Sequence, residues 1–301
     1  MTWRRMFPAG LVLWLLTAGV TYLTGNPVLI PTLVLLGSFL VPVTFVTWAF
    51  ARRDSGEITA ELVFGTFVVG GVLGVLGASA LEAYLLIPSV WMYVGVGLIE
   101  EAVKLGALAL LTRHLAVKSM RDGMILGASV GFGFSAFESA GYALTSLFTS
   151  SGMSLSNLVT TELLRGLLAP VGHGLWTAVL GGALFSWSTR RHFVLTWRLV
   201  FAFLGVSLLH ALWDSMSMIA VLVTLALTGE PWQYEVLLRG AVPEPTPTQV
   251  AAYTAATWLG LALISVVGLL WLWSSVRRSH RGTLAPTRVY RVRTGPLTGS
   301  I

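Results

Sequence analysis

The chain has 301 residues, 55% of them apolar and 11% charged, with a formal net charge of +6. This composition, with a mean hydropathy of +0.80, excludes one or two ordinary soluble domains and indicates an all-α polytopic membrane bundle. There is no cysteine, which excludes disulfides and thiolate metal sites. The positive charge lies in short loops and a tail between apolar spans, so membrane orientation explains it and no nucleic-acid partner is expected.

About eight apolar stretches reach the ~20 residues needed to cross a hydrocarbon core of roughly 30 Å. They are predicted at 7–24, 28–50, 58–83, 90–112, 124–148, 163–188, 199–226 and 250–275. Arg4 and Arg5 precede the first, a pattern shared with signal peptides, but no clear small-x-small cleavage site follows and the segment is taken as a retained span. Pro27 and Pro31 bracket the start of the second span, and Arg52, Arg53 and Asp54 close it. Span three carries Gly65, Gly70, Gly71, Gly74 and Gly77, and span five carries Gly127, Gly131 and Gly133. Small residues at this spacing predict close helix packing.

All but Lys104, Arg165 and Arg239 of the 19 Lys and Arg residues fall on one side of this eight-span arrangement. The positive-inside rule then places both termini in the cytoplasm of a multi-pass protein of the cell membrane. The opposite-side segment 227–249 is acidic and proline-rich. Residues 1–275 are expected to form one membrane-embedded domain, and the basic stretch 276–301, which lacks apolar periodicity, is expected to be a disordered cytoplasmic tail against anionic lipid. No internal repeat and no broken helix of the transporter kind is evident.

Ionisable residues interrupt the predicted spans at depth: Glu100, Glu101, Lys104, Glu138 and Asp214, joined by His173 and His210. Each unpaired charge at a helix centre costs roughly 2.5–3.5 kcal/mol, and five would cost on the order of 15 kcal/mol, so they are expected to meet one another. In span four Lys104 lies four residues after Glu100 and three after Glu101, so it can pair with either. The second carboxylate is then left to accept and donate protons, unless the set is simply an ion pair locking helices. Glu138 fits either a structural partner of Lys104 or a catalytic group. His173 fits either a hydrogen-bonded core residue or a ligand. His210 and Asp214, four apart on one face, allow the carboxylate to orient the imidazole or to join it at a metal. The marked residues lie near one level of the bilayer on four consecutive spans, and independent structural accidents would not be expected to coincide in this way.

Glu100-Glu101-x-x-Lys104, Phe134-x-x-x-Glu138, Gly172-His173 and His210-x-x-x-Asp214 together resemble the signature of the PrsW membrane proteases. They are more distantly similar to the type II CAAX-prenyl endopeptidase and bacteriocin-processing superfamily. The resemblance covers about residues 90–220. One departure is Ser139, where many relatives carry Asn. What the resemblance implies is a membrane-embedded endopeptidase acting on membrane-associated proteins, with first cleavage of an anti-sigma factor as the model case. It also implies that Glu100 and Glu101 are the essential glutamates and that Glu138, His173, His210 and Asp214 are further motif residues.

Two mechanisms fit these residues. In one, Glu138, His173 and His210 hold a divalent metal such as zinc, and Glu100 or Glu101 is the base. In the other a glutamate activates water without metal while a histidine stabilises the oxyanion. The balance leans to metal, and no organic cofactor is expected. A prenyl-protein endopeptidase, a proton-coupled transporter and a non-enzymatic scaffold are the competing readings, and oligomeric state is not legible.

Overall fold

A computed structural model describes residues 3–53, 56–116, 118–150, 152–188 and 192–283. The tail beyond 283, and with it most of the basic segment, lies outside the described residues, as do Asp54, Arg190 and Arg191. Eleven α-helices are present among the described residues: α1 (Trp3–Thr24), α2 (Ile30–Phe50), α3 (Ala60–Leu85), α4 (Met92–Thr112), α5 (Met120–Leu147), α6 (Leu155–Leu168), α7 (His173–Ser186), α8 (Trp197–Asp214), α9 (Met216–Thr228), α10 (Pro231–Leu238) and α11 (Pro247–Thr283). The only strands described are a two-residue antiparallel pair, Phe148–Thr149 with Gly152–Met153, that turns the chain from α5 into α6. The all-α polytopic expectation is met.

Among the described residues, six helical segments are long and apolar enough to cross a membrane: Trp3–Thr24, Pro27–Phe50, Ala60–Leu85, Leu155–Ser186, Trp197–Asp214 and Pro247–Ser279. Helix α4, with 21 residues, and α5, with 28, are long enough at ~1.5 Å per residue. Both carry the polar residues of the bundle centre. Large apolar side chains such as Leu15, Leu16, Leu259 and Leu263 are exposed on the outer helices, the surface that lipid would cover.

Helix α5 is the axle. It is buried almost continuously from Asp122 to Ala136 and packs most extensively on α7, then on α3 and α2. The glycines explain the closeness. A Cβ on Gly127 would meet the carbonyl of Thr177, and one on Gly131 would meet the carbonyl of His173. On the opposite side Gly133 meets Phe67 and Gly71 of α3. The expected close packing is thus backbone against backbone.

Two predicted spans are not continuous, which corrects the expectation that no helix is broken. Span six divides into α6 and α7 at Ala169–Val171, a short 3-10 turn containing Pro170 and followed by Gly172. Pro170 has no N–H to continue the α6 hydrogen-bond ladder. Span seven divides at Ser215, whose Oγ donates to the carbonyl of Ala211 at 2.6 Å, and the chain resumes as α9. Non-helical backbone at membrane depth is tolerated where protein surrounds it. His173 opens α7 and Asp214 closes α8, so both breaks fall beside marked residues.

The 227–249 segment is organised by a buried amide clasp. Gln233 and Gln249 donate to each other at 3.0 and 2.7 Å, tying α10 to the start of α11. At the other edge, α1 is held by Trp14 Nε1 donating to Glu162 Oε2 of α6 at 2.8 Å.

Candidate active site

The site starts from a second close approach. A Cβ on Gly97 would meet the Ser207 carbonyl of α8, so α4 and α8 touch by their backbones one turn before Glu101 and His210. This contact sets the two side chains together: His210 Nδ1 lies 2.9 Å from Glu101 Oε1. Helical spacing adds Lys104, whose Nζ is 2.6 Å from Glu101 Oε1 and 3.3 Å from Glu100 Oε2. Lys104 therefore pairs with both glutamates rather than one. Its third contact is His173 Nδ1 at 3.0 Å, and the Phe134 ring covers it at 4.3 Å from the centroid.

Those contacts fix the imidazole of His173. An ammonium can only donate, so Nδ1 accepts from Lys104 and the ring proton sits on Nε2. That nitrogen points at Glu138 Oε2, 3.2 Å away. Glu138 is also paired with Arg165 of α6, and Arg165 Nε donates to Ser139 Oγ at 2.7 Å. Glu138 is thus the partner of His173 and Arg165. Ser139 holds Arg165 in place by its hydroxyl. Of the two roles open for Glu138 in the sequence, its ion-pair partner proves to be Arg165.

His210 Nε2 lies 3.3 Å from Asp214 Oδ2, across one helical turn, and 3.6 Å from Glu100 Oε2. The two histidine rings are 4.9 Å apart by centroid, and Trp176 lies 4.8 Å from His210. The structure therefore brings together all seven residues singled out in the sequence. They form a graded set. Glu101, Lys104 and His210 are buried, whereas the side chains of His173, Glu138 and Asp214 are 12%, 20% and 26% exposed. The outer three form the open side of the set.

Among the described residues, the group whose ligand atoms all lie within 4.8 Å of one another is Glu100, His173 and His210. Glu100, not Glu138, is the carboxylate that shares space with both imidazoles. Two imidazoles and a carboxylate are the donor types of catalytic zinc sites. The electrostatics fit a cation: Glu82, Glu100, Glu101, Glu138 and Asp214 outnumber the fixed cations Lys104 and Arg165, and Glu101 Oε2 is buried without a hydrogen-bond partner among the described residues. Lys104 donates to two of the candidate ligand side chains, so a positive charge already stands beside that point.

Sequence reasoning missed two acidic groups and the role of one basic one. Glu82, at the end of α3, is in electrostatic reach of Glu138, His210, Asp214 and Lys104. It sat at the edge of a predicted span and read as a boundary. Glu162, buried against Trp14, fell one residue outside span six. Arg165 stood out as a basic residue off the positive side, and that misplacement was the available signal for its partner Glu138.

No solved structure matches the chain. Over 173 residues it is 25% identical to the protein named Protease PrsW from Halalkalibacterium halodurans, covering 56% of this chain and 75% of that one. The family model for PrsW family intramembrane metalloproteases matches residues 56–238, a stretch that contains every residue of the site just described. A multi-pass bundle with a carboxylate and imidazole centre and this match places the chain in the PrsW family of intramembrane metalloproteases, as an endopeptidase embedded in the bilayer.

Proposed function

We propose that the protein cleaves a membrane-anchored protein, as in the first cut of an anti-sigma factor, using zinc held by Glu100, His173 and His210. The observation that carries the ligand assignment is the convergence of those three side chains. Bound there, zinc would polarise the scissile carbonyl and acidify water. The other roles follow from contacts. Glu101 orients His210 from Nδ1, which leaves Nε2, the nitrogen that faces Glu100 with Asp214 beside it, as the ligand atom. Lys104 offsets the charge of Glu100 and Glu101 in the dry interior, and zinc would take its place at His173 Nδ1, the nitrogen that faces Glu100. Glu138, on the open side, has Oε2 held by His173 and Arg165, and its other oxygen would take a proton from the attacking water and return it to the leaving amine. Relative to the sequence-based expectation, Glu100 and Glu138 exchange the roles of ligand and base.

Both termini are proposed to lie in the cytoplasm, with a membrane domain to about residue 275 and a basic cytoplasmic tail beyond, in the cell membrane. In that orientation Glu138 lies nine residues from the external end of α5, about 14 Å, and eighteen from its cytoplasmic end, about 27 Å. Glu101 likewise lies nine residues from the external start of α4, about 14 Å. This position supports a cut toward the outside, and argues against a prenyl-protein endopeptidase whose substrate arrives from the cytoplasm.

Purified protein incubated with membrane-anchored regulators, with and without a strong chelator, tests the proposal. Cleavage that stops on chelation and returns with zinc is expected. Full cleavage after exhaustive chelation, with no metal detected, would remove the zinc assignment. Absence of cleavage of any such substrate would remove the substrate class.

A further inference from the structure

Away from the proteolytic centre, at the end of the bundle where α5 and α8 begin and α7 and α11 finish, lies a cavity of about 810 Å³. Val179, Ala183, Phe201 and Trp271 supply its apolar wall, and Arg121, Arg198 and Arg278 stand around it. Among the described residues no carboxylate lines it. Arg198 lies over the Trp187 ring at 4.7 Å, and Arg278 donates to Ser275 Oγ at 3.1 Å. Both guanidiniums are therefore held at the cavity while remaining exposed. Phe201 is also exposed, so the cavity opens on the face that lipid would cover.

We propose that this cavity binds one anionic phospholipid. The ligand must carry a negative head for the arginines and an apolar chain for the wall between α8 and α11, and an anionic phospholipid supplies both at the depth where the arginines stand. Guanidinium groups match phosphate oxygens by paired hydrogen bonds. Aromatic side chains such as Trp187 and Trp271 suit the boundary between head groups and acyl chains. A soluble phosphate would use the arginines and leave the apolar wall unfilled. An acidic peptide would have to displace lipid from that wall.

The test is native mass spectrometry of the full-length protein in detergent, with phosphatidylglycerol or phosphatidylcholine added singly. Phosphatidylglycerol should be retained preferentially. Arg198→Gln and Arg278→Gln should each weaken it about fivefold, leaving phosphatidylcholine unchanged. Trp271→Ala should weaken both lipids. Arg5→Gln, an exposed arginine outside the cavity, should change neither, and protease activity in each variant reports that the fold is intact. Equal retention of the two lipids, or an Arg5→Gln loss as large as that of Arg198→Gln, would overturn the site as a mere surface charge effect. Displacement of bound lipid by glycerol phosphate or by an acidic peptide at matched concentration would overturn the choice of ligand.

Discussion

Glu100 and Glu138 can be told apart by what each does to metal content when its charge is removed. Glu100→Gln keeps the length and volume of the side chain but takes a charged oxygen from the group shared with His173 and His210. Glu138 instead faces the protonated Nε2 of His173 at 3.2 Å, the position of a carboxylate that orients a ligand. Loss of such an orienting partner typically costs 10–100-fold in metal affinity, about 1.4–2.7 kcal/mol. Loss of one of three protein ligands should cost more than the upper end of that range. Titration with zinc against a competing chelator, read by elemental analysis, should therefore find Glu138→Gln weakened but loaded, and Glu100→Gln empty under the same conditions. Helical circular dichroism checks that both are folded. If Glu138→Gln is empty while Glu100→Gln holds metal as the wild type does, the ligand set expected from the sequence, Glu138 with His173 and His210, is the right one.

Three further outcomes are expected. Lys104→Met strands two carboxylates in the interior and should cost about 3–5 kcal/mol of stability; an unchanged unfolding midpoint in detergent would show that the ammonium compensates nothing. Glu101→Gln should reduce cleavage about 10–100-fold by loosening His210, yet leave most of the bound metal, and unchanged turnover of a verified substrate would show that Glu101 holds nothing that matters. Reporter fusions after residues 52, 116, 192 and 285 should read cytoplasmic and those near 155 and 240 external, and an external reading at 116 or 192 would reverse the helices that carry the site.

The spans and the candidate residues were legible because hydropathy reports what a helix avoids and helical spacing reports which of its own residues share a face. Glu100, Glu101 and Lys104 meet by spacing along α4 alone, as do His210 and Asp214 along α8. Which helix faces which is another matter. That Glu138 turns to Arg165, and that Glu100 rather than Glu138 stands between the histidines, depends on how α4, α5, α6 and α7 are rotated against one another, and periodicity carries no such information. Pro170 and Gly172 signalled the first break in a run still apolar enough to read as one span. The second break had no comparable signal, since Ser215 is compatible with a helix and its hydroxyl competes for a carbonyl only in context. Glu82 and Glu162 were lost to boundaries, which hydropathy places least well.

The glycine seam between α5 and α7 has a dynamic consequence. Where Gly127 and Gly131 face the carbonyls of Thr177 and His173, backbone rests on backbone, and little side chain stands at those points that could change rotamer and let one helix slide on the other. Packed elements usually move by small shears absorbed in side chains, and this pair lacks that slack. Helices α5 and α7 should therefore travel as one rigid piece, carrying Glu138 and His173 in fixed relation. A polypeptide reaching the site must then be admitted by movement elsewhere, and the chain offers two joints for it, at Pro170 and at Ser215, each a residue or a few away from the chemistry.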